Sequence, residues 1–314
     1  MTSIKLNYPV RTLDNQLLLP AETVLSPKAM DTLISTSKEK PRERIPLSQC
    51  GSVLQDMVGI MIQGPYQTIF SDRKKNISLL DLMEKINLIE PILNSLNYFK
   101  KHDYYTYCHI LIVFALSTLL AQDLVEDHQD LIREAMAGPS HDFGKVGVPL
   151  SILKKTDPLS RTERGILEHH TAAGFVLLSF YLQDAQGFAA KIARDHHERR
   201  DGSGYPVGVP AADPIVEIIA TCDIFDALIS PRPYRRRPYD TRTALEELTE
   251  MALQGRIGWA VLQALVAHNR TRKLRRHEEC VVSQERRGTP PEGNLYGVFV
   301  DDFPLGWREP AILS

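Results

Sequence analysis

The sequence predicts a mainly α-helical protein: an all-helical bundle, preceded by a small N-terminal module of short strands and a helix, and followed by a mostly irregular tail. From Ile77 onward, apolar residues recur at three- and four-residue spacing, which is typical of amphipathic helices. Before that point, prolines at positions 9, 20, 27, 41 and 46 interrupt the chain, which favours short strands and loops. The tail after about Glu278 is rich in glycine and proline, and its GVFVDDF segment predicts one late strand.

Composition places the chain among ordinary globular proteins of one large domain or two modest ones. It has 314 residues, of which 43% are hydrophobic and 24% charged. The net charge of −2 argues against DNA as a partner of the whole molecule. Two local basic clusters are compatible both with solvated surfaces and with anion recognition; they comprise Arg232, Arg235, Arg236 and Arg237, and Arg270, Arg272, Lys273, Arg275 and Arg276.

Cysteine usage and apolar runs predict a cytoplasmic protein without a membrane span. The four cysteines form no CxxC pair, so neither a disulfide framework nor a zinc knuckle is expected. The N-terminus lacks the apolar segment of a secretory signal. The longest apolar run, Ile110 to Ala121, is too short to span a bilayer and predicts a buried core helix.

Element by element, the N-terminal module begins with a hairpin predicted in QLLLPAETVLS and a helix from Pro27 to about Ser37. One amphipathic segment, ISLLDLMEKINLIEPILNSLNYF, then opens the helical body. The capping-box pattern Ser160-Arg-Thr-Glu163 predicts the start of a helix that continues to about Tyr181. Further helices are predicted from Tyr104 to about Leu124, before His141, from about Asp184 through His197, from Pro214 to about Ile229, from Asp240 to near Gly255, and from Ile257 to about Arg270.

Metal-ligand side chains occur in five separate segments of this helical body. Helical bundles build metal sites by aiming such side chains inward from facing helices. Imidazole and carboxylate groups without thiolates suit iron, manganese or zinc. The candidates are His109, His141 and Asp142, His170, His196 and His197, and Asp223.

These groups are too many for one ion, and Asp142 is the natural bridge between two. Two ions about 3.5–4 Å apart suit in-line displacement at phosphorus, with hydroxide formed from water near neutral pH as the nucleophile. A single histidine in a helix is more often structural than a ligand. His128 and His169 are the best candidates for that structural role.

Four motifs follow one another in this body: HDFGK at 141–145, HTAAG at 170–174, HHERRDGSGYP at 196–206 and CDIFDALISPRPYR at 222–235. Their resemblance is to the HD-GYP family, a branch of the HD-domain metal-dependent phosphohydrolases. It implies an all-helical HD-domain bundle that hydrolyses the bacterial messenger cyclic di-GMP to pGpG, with GMP as the end product of some members. We expect a module at 1–85, regulatory in character, the HD-GYP domain at 86–273 and a C-terminal extension at 274–314.

The resemblance also implies a role for each candidate residue. It assigns two divalent ions, iron or alternatively manganese, to the ligands His109, His141, Asp142, His170, His196, His197 and Asp223. Lys145 matches the lysine beside the scissile phosphate, where its ammonium offsets developing charge. Gly204, Tyr205, Arg232 and Arg235 match substrate-binding positions. Other signalling proteins, such as diguanylate cyclases, are implied as partners.

Three positions depart from the family pattern. Tyr105 replaces the glutamate that contributes to a third ion in some members, so two ions are expected. Ile112 and Glu217 stand where arginines are usual, and both changes remove positive charge. An alternative is therefore a low-activity or inactive protein that binds cyclic di-GMP or a partner and signals by contacts. Hydrolysis of another nucleotide fits the HD core but not the GYP loop.

Overall fold

The N-terminal region contains four short strands and a helix that dock on the helical body. The computed structural model describes residues 4–36, 42–210, 213–232, 235, 237–274, 277–292 and 299. Buried Leu6 and Val10 belong to the same apolar core as the large helices. The backbone N–H of Leu13 donates to the hydroxyl of Tyr181 at 3.1 Å, which fastens the strands to the body. The elements are β1 (Ile4–Lys5), β2 (Val10–Arg11), β3 (Leu17–Leu19), β4 (Val24–Leu25) and α1 (Pro27–Thr36).

The prediction of a hairpin in QLLLPAETVLS is wrong: both of its strands exist, but they do not pair with each other. Strand β3 pairs antiparallel with β2, and β4 pairs antiparallel with β1. Strands β3 and β4 therefore each pair with an earlier strand. The pairs are nested, because β2 and β3 lie between β1 and β4 in the sequence. Such short strands carry little register information of their own, so contacts with the body decide the pairing.

From Arg73 onward the described chain is mostly helical, as predicted, but a helix over Val53–Met61 also lies before that point, where the sequence favours short strands and loops. The strands β5 (Arg44–Pro46) and β6 (Asn87–Ile89) form an antiparallel pair. The helices are α2 (Val53–Met61), α3 (Arg73–Glu84), α4 (Glu90–His102), α5 (Tyr104–Leu124), α6 (His128–Ala137), α7 (Leu150–Leu153), α8 (Arg161–Glu168), α9 (His170–Leu182), α10 (Phe188–Asp195), α11 (Pro214–Ile229), α12 (Thr241–Leu253) and α13 (Trp259–Asn269). Short 3₁₀ segments cover Leu47–Gln49, Gly64–Tyr66, Ile69–Ser71, Gly138–Ser140, Phe143–Gly147 and His277–Glu279.

Two predicted helices are each divided in the structure. The segment from Ile77 to Phe99 breaks into α3, β6 and α4, because Pro91 lacks an N–H and is tolerated only in the first turn of a helix. The segment from Ser160 to Tyr181 divides at His169 into α8 and α9. The predicted capping box is confirmed: the hydroxyl of Ser160 accepts from the N–H of Glu163 at 3.1 Å, and the carboxylate of Glu163 accepts from the N–H of Ser160 at 2.7 Å.

Helix α5 is the central helix of the body and is apolar on nearly all sides. By length and composition it could cross a membrane, but 78% of its most apolar 18-residue window is buried in the protein. A helix that is hydrophobic all round is a core helix when other helices surround it. Helices α4, α11 and α13 pack against it. The prediction of a buried core helix over Ile110 to Ala121 is confirmed.

The predicted domain boundaries remain predictions. Strand pairing joins residues on both sides of the first boundary, between positions 85 and 86. Strands β5 and β6 pair across position 85, and α2 packs on α5, so the chain before Ile86 contributes to the same core. The described part of the tail contains a 3₁₀ turn at His277–Glu279 and an isolated parallel β-bridge from Phe299 to Leu159. Except for Phe299, the predicted strand GVFVDDF lies outside the described residues.

Candidate metal centre

Five elements bring the predicted ligands together at one place inside the bundle. His109 lies on α5, His170 at the start of α9, and Asp223 on α11. His141 and Asp142 lie between two 3₁₀ segments, and His196 and His197 directly follow α10. All seven side chains that the sequence predicts as ligands therefore converge, and those of His109, His141, Asp142, His170 and His196 are almost completely buried.

Two groups of potential ligand atoms share Asp142. One group contains His109, His141 and Asp142, and the other contains Asp142, His170, His196 and His197; within each group the ligand atoms lie within 4.8 Å of one another. One carboxylate oxygen of Asp142 lies 3.4 Å from His109 Nε2, and the other lies 3.4 Å from His170 Nε2. Asp142 therefore faces both groups, as expected of a bridging carboxylate.

Asp223 completes the cluster between the two groups. One of its oxygens lies 3.1 Å from His109 Nε2, and the other lies 3.6 Å from His197 Nδ1. The side chains of Asp223 and His197 are 11% and 15% exposed, whereas those of His109 and Asp142 are at most 1% exposed. The cluster therefore opens to solvent on the side of Asp223 and His197.

Backbone carbonyls orient three of the histidines that are predicted as ligands. Nδ1 of His141 lies 2.7 Å from the carbonyl of Gly138, and Nδ1 of His170 lies 2.6 Å from that of Leu167. Nδ1 of His196 lies 3.1 Å from the carbonyl of Ala193. An Nδ1–H that donates to a carbonyl leaves Nε2 deprotonated and available to a metal.

His109 is oriented differently, by a carboxylate from another helix. Its Nδ1 lies 2.5 Å from Asp226, which follows Asp223 by one turn of α11. A carboxylate behind a metal-binding histidine fixes the ring and increases its basicity as a ligand. Asp226 was missed in the sequence, although the spacing of Asp223 and Asp226 places both carboxylates on the same face of one helix.

The electrostatics of the cluster suit cations. Burial opposes protonation of His109, but the adjacent carboxylates of Asp142, Asp223 and Asp226 outweigh it and raise its pKa to about 10. Burial lowers the pKa of His141 to about 4 and that of His170 to about 3. Burial also opposes ionisation of Asp142, yet Lys145 and His141 hold the pKa of this carboxyl well below its ordinary value.

These protonation states and several buried polar atoms fit divalent metal ions. The neutral imidazoles of His141 and His170 and the ionised carboxylate of Asp142 are the forms that bind metals. His109 would release its proton when an ion binds. Nε2 of His109, Nε2 of His141 and Oδ1 of Asp142 are buried and make no hydrogen bond within the protein. Buried polar atoms normally have a partner, and all three belong to the predicted ligand set. The residues present therefore fit a metal centre.

Gly144 explains how the HDFGK segment reaches the start of α9. A Cβ on Gly144 would overlap the carbonyl oxygen of His170 and lie 2.6 Å from the N of Gly174. Only glycine permits this backbone approach. The contact holds the HDFGK segment against the first turn of α9, which brings Asp142 next to His170.

Glu198 holds the GYP loop against the predicted metal ligands. Its buried carboxylate accepts backbone N–H groups of Val207 at 2.7 Å, Gly208 at 3.2 Å and Val209 at 3.2 Å. The ring of Tyr205 stacks on that of His197, with centroids 4.6 Å apart. A Cβ on Gly204 would lie 2.4 Å or less from backbone atoms of His197 and Glu198, so this position also requires glycine.

The other predicted site residues, Lys145, Arg232 and Arg235, lie at three different places relative to the cluster. The ammonium of Lys145 lies 2.5 Å from Asp142, beside the cluster. The guanidinium of Arg232 lies 4.4 Å from the centroid of Tyr105, whose ring stacks on that of His109. Arg235 is buried, and its Nη1 donates to the last carbonyls of α11, those of Ala227 at 2.8 Å and Leu228 at 2.7 Å. The substrate-binding role of Arg235 remains a prediction, and its visible role is to cap α11.

Ile112 and Glu217, which stand where arginines are usual in the family, each have defined contacts. Ile112 is buried in the apolar core. Glu217 lies 3.7 Å from Nη1 of Arg200, so its charge is partly offset by an ion pair.

Two histidines lie outside the ligand groups, as the sequence predicts. His169 packs its ring against Tyr8, and His128 is exposed.

Comparison with known proteins identifies the family. The HD domain family matches residues 87–261, more than half of the chain. A cyclic di-GMP phosphodiesterase of Thermotoga maritima is 36% identical over 163 residues, which cover 51% of this chain and 44% of that protein. One of Pseudomonas aeruginosa is 38% identical over 163 residues, 50% of this chain and 39% of that protein.

A third relative, a 3'3'-cGAMP-specific phosphodiesterase of Vibrio cholerae, is 36% identical over 187 residues, 58% of this chain and 34% of that protein. The chain thus spans less than half the length of these curated relatives. The matched region contains all seven predicted ligands and the GYP loop. The chain therefore belongs to the HD-domain family, and its motifs place it in the HD-GYP branch.

Proposed function

We propose that the protein is a metal-dependent phosphodiesterase that hydrolyses cyclic di-GMP to pGpG, with GMP as a further product if the linear dinucleotide binds again. The observation that carries this proposal is the pair of ligand groups that share Asp142, with the ammonium of Lys145 beside it. A dinuclear centre next to a cation suits displacement at a phosphodiester, where negative charge develops on phosphoryl oxygens.

In this proposal His109, His141, Asp142, His170, His196, His197 and Asp223 hold two divalent ions. Bound ions of this kind supply a nucleophile from water near neutral pH and positive charge for the phosphoryl oxygens. Iron or manganese suits a donor set of imidazoles and carboxylates without thiolates. Tyr105, which carries no carboxylate, stacks on His109 where a third ion would need a ligand, and this supports two ions rather than three.

The chain's own residues orient the substrate at the open side of the cluster. The side chain of Lys145 is 13% exposed, comparable to those of Asp223 and His197, so it is partly accessible to solvent. It would offset charge on a phosphoryl oxygen. Tyr205 flanks His197, and Arg232 lies beyond Tyr105 next to His109, so an aromatic ring and a guanidinium border the ligands. Stacking by the tyrosine and hydrogen bonding by the arginine suit a nucleotide phosphate.

Cyclic di-GMP is proposed because the branch and two of the relatives above act on it. The cGAMP-specific relative makes the mixed cyclic dinucleotide the substrate to compare. The four cysteines are free thiols, which supports a reducing compartment such as the cytoplasm. Interaction with other signalling proteins, diguanylate cyclases among them, is a further expectation from the resemblance.

A second candidate function is binding without turnover. It is favoured by the two positions where the family arginines are absent: Ile112 is buried among apolar residues, and Glu217 carries the opposite charge. A lost arginine–phosphate contact weakens binding, while the ligands and Lys145 remain. We therefore expect turnover that is modest, with substrate affinity reduced more than the chemical step.

The test is anaerobic incubation of iron- or manganese-loaded protein with cyclic di-GMP, with 3'3'-cGAMP in a parallel reaction, followed by separation of the products. We expect pGpG from cyclic di-GMP, at a rate that exceeds cleavage of 3'3'-cGAMP. Protein carrying Asp142→Ala serves as the inactive control.

The possible results separate the two candidate functions. Tight binding of intact cyclic di-GMP without product, in protein that holds two reduced ions, would support the binding function instead. Faster cleavage of 3'3'-cGAMP would retain the enzyme and change its substrate.

A further inference from the structure

A chain of hydrogen bonds runs from the N-terminal segment to the metal ligand His109. Asp226 contacts Nδ1 of His109 through one oxygen, at 2.5 Å. Its other oxygen accepts from the hydroxyl of Tyr66 and, at 2.9 Å, from that of Ser230. The two hydroxyls lie 2.7 Å apart. Tyr66 precedes the matched HD region and lies 160 positions before Asp226.

Tyr66 is held in place by a segment that is fastened to α5. Helix α2 packs along α5, and its Asp56 accepts from the hydroxyl of Tyr107 at 2.6 Å and from Lys100 at 2.5 Å. Met57 and Ile69, on either side of Tyr66 in the sequence, are at most 1% exposed. The Val53–Ser71 segment is therefore part of the packed core around α5, the helix that carries His109.

His109 depends on this packing more than the other oriented histidines do. His141, His170 and His196 each place Nδ1 on a carbonyl three or four residues earlier in their own chain segment. Their orientation is therefore local. His109 lies within a long helix, where preceding carbonyls are used by the helix itself, and its Nδ1 partner comes from α11. That partner is in turn oriented by a hydroxyl from a third segment.

We propose that Tyr66 is a positioning residue for the metal centre, which acts through Asp226 on His109, so that docking of the Val53–Ser71 segment on α5 sets metal affinity. The proposal rests on the metal centre of the proposed function. It gives the region before the HD domain a defined physical route to the site, because displacement of this segment would remove a donor from Asp226 and release the ring of His109.

The test is titration of the metal-free full chain with Mn²⁺, measured by calorimetry, in the parent protein and in Tyr66→Phe. Loss of an outer partner of a metal-binding histidine reduces metal affinity about 10-fold to 100-fold. Because Ser230 still donates to Asp226 in this variant, we expect the lower end, about tenfold. Tyr181→Phe is the matched control: its hydroxyl accepts from the N–H of Leu13 at 3.1 Å, so this change also removes a tyrosine hydrogen bond between the N-terminal region and the body, but at the N-terminal strands and not at Asp226.

A double-mutant cycle separates the relay from general loosening. If Tyr66 acts through Asp226, then Tyr66→Phe should cause no additional loss of Mn²⁺ affinity in an Asp226→Asn background. Unchanged affinity in Tyr66→Phe, or a loss equal to that of Tyr181→Phe, would overturn the relay while the metal centre stands. A parent chain that binds no Mn²⁺ would overturn the metal centre and the relay together. The comparison of the two tyrosine variants is decisive even if Asp226→Asn does not fold.

Discussion

Replacing Glu198 by glutamine would show how strongly the GYP loop is held against the ligands. The buried carboxylate accepts from three consecutive backbone N–H groups, those of Val207, Gly208 and Val209. Glutamine removes the charge and replaces one accepting oxygen by an NH₂ group that faces these donors. A hydrogen bond to a charged group contributes about 1.5–3 kcal/mol, and a buried donor without a partner costs about 1–3 kcal/mol. We therefore expect the free energy of unfolding to fall by about 3 kcal/mol.

Urea denaturation measures this change, and hydrogen exchange localises it. If the loop opens locally, a cost of about 3 kcal/mol corresponds to roughly 100-fold faster exchange of the amides of Val207 to Val209, at 1.36 kcal/mol per tenfold. Glu250→Gln is the control, because that carboxylate is exposed and bonds the side chain of Gln254. A free energy of unfolding within about 0.5 kcal/mol of the parent, with unchanged exchange of the three amides, would refute the reasoning.

Four further predictions concern the metal centre. Elemental analysis of anaerobically purified protein should find two ions per chain, and one ion or a filled third site would contradict the assignment. Asp142→Ala should lose both ions and activity while circular dichroism remains helical, because both ligand groups share this carboxylate; retention of both ions would exclude bridging. Lys145→Ala should keep both ions and lose about 10²-fold in turnover, the scale of a lost transition-state donor, and loss of metal would show that Lys145 supports the ligands instead. Gly144→Ala should weaken Mn²⁺ binding and lower the melting temperature, because its Cβ would overlap the carbonyl of His170; unchanged values in both measurements would argue against the close contact.

The sequence predicted those parts of the fold that local patterns encode. The core helix α5, the capping box of α8 and the extent of α11 follow from periodicity and capping residues. The nested pairing of the N-terminal strands could not be predicted, because their partners are chosen by docking on the body. The break at Pro91 had a local signal in the missing N–H of proline, but the apolar periodicity on both sides concealed it.

The residues of the candidate site also divide into those with a signal in the sequence and those without one. The proposed ligands could be selected in the sequence because they are histidines and aspartates, some of them adjacent pairs, in separate segments on or at the ends of helices. Asp226 had a weak signal in its one-turn spacing from Asp223. Tyr66 had none, because its contact with Asp226 joins segments 160 residues apart and arises only from the packing of the N-terminal segment on α5.

The position of Asp142 in both ligand groups has a consequence for how the centre is loaded. An ion in either group would draw on the negative charge of the one carboxylate that the other group also needs. The first ion therefore neutralises part of the shared charge and repels the second, so the first binding event weakens the second, and the linkage is reciprocal. Titration of the metal-free chain should accordingly show two steps, with chains that carry a single ion between them.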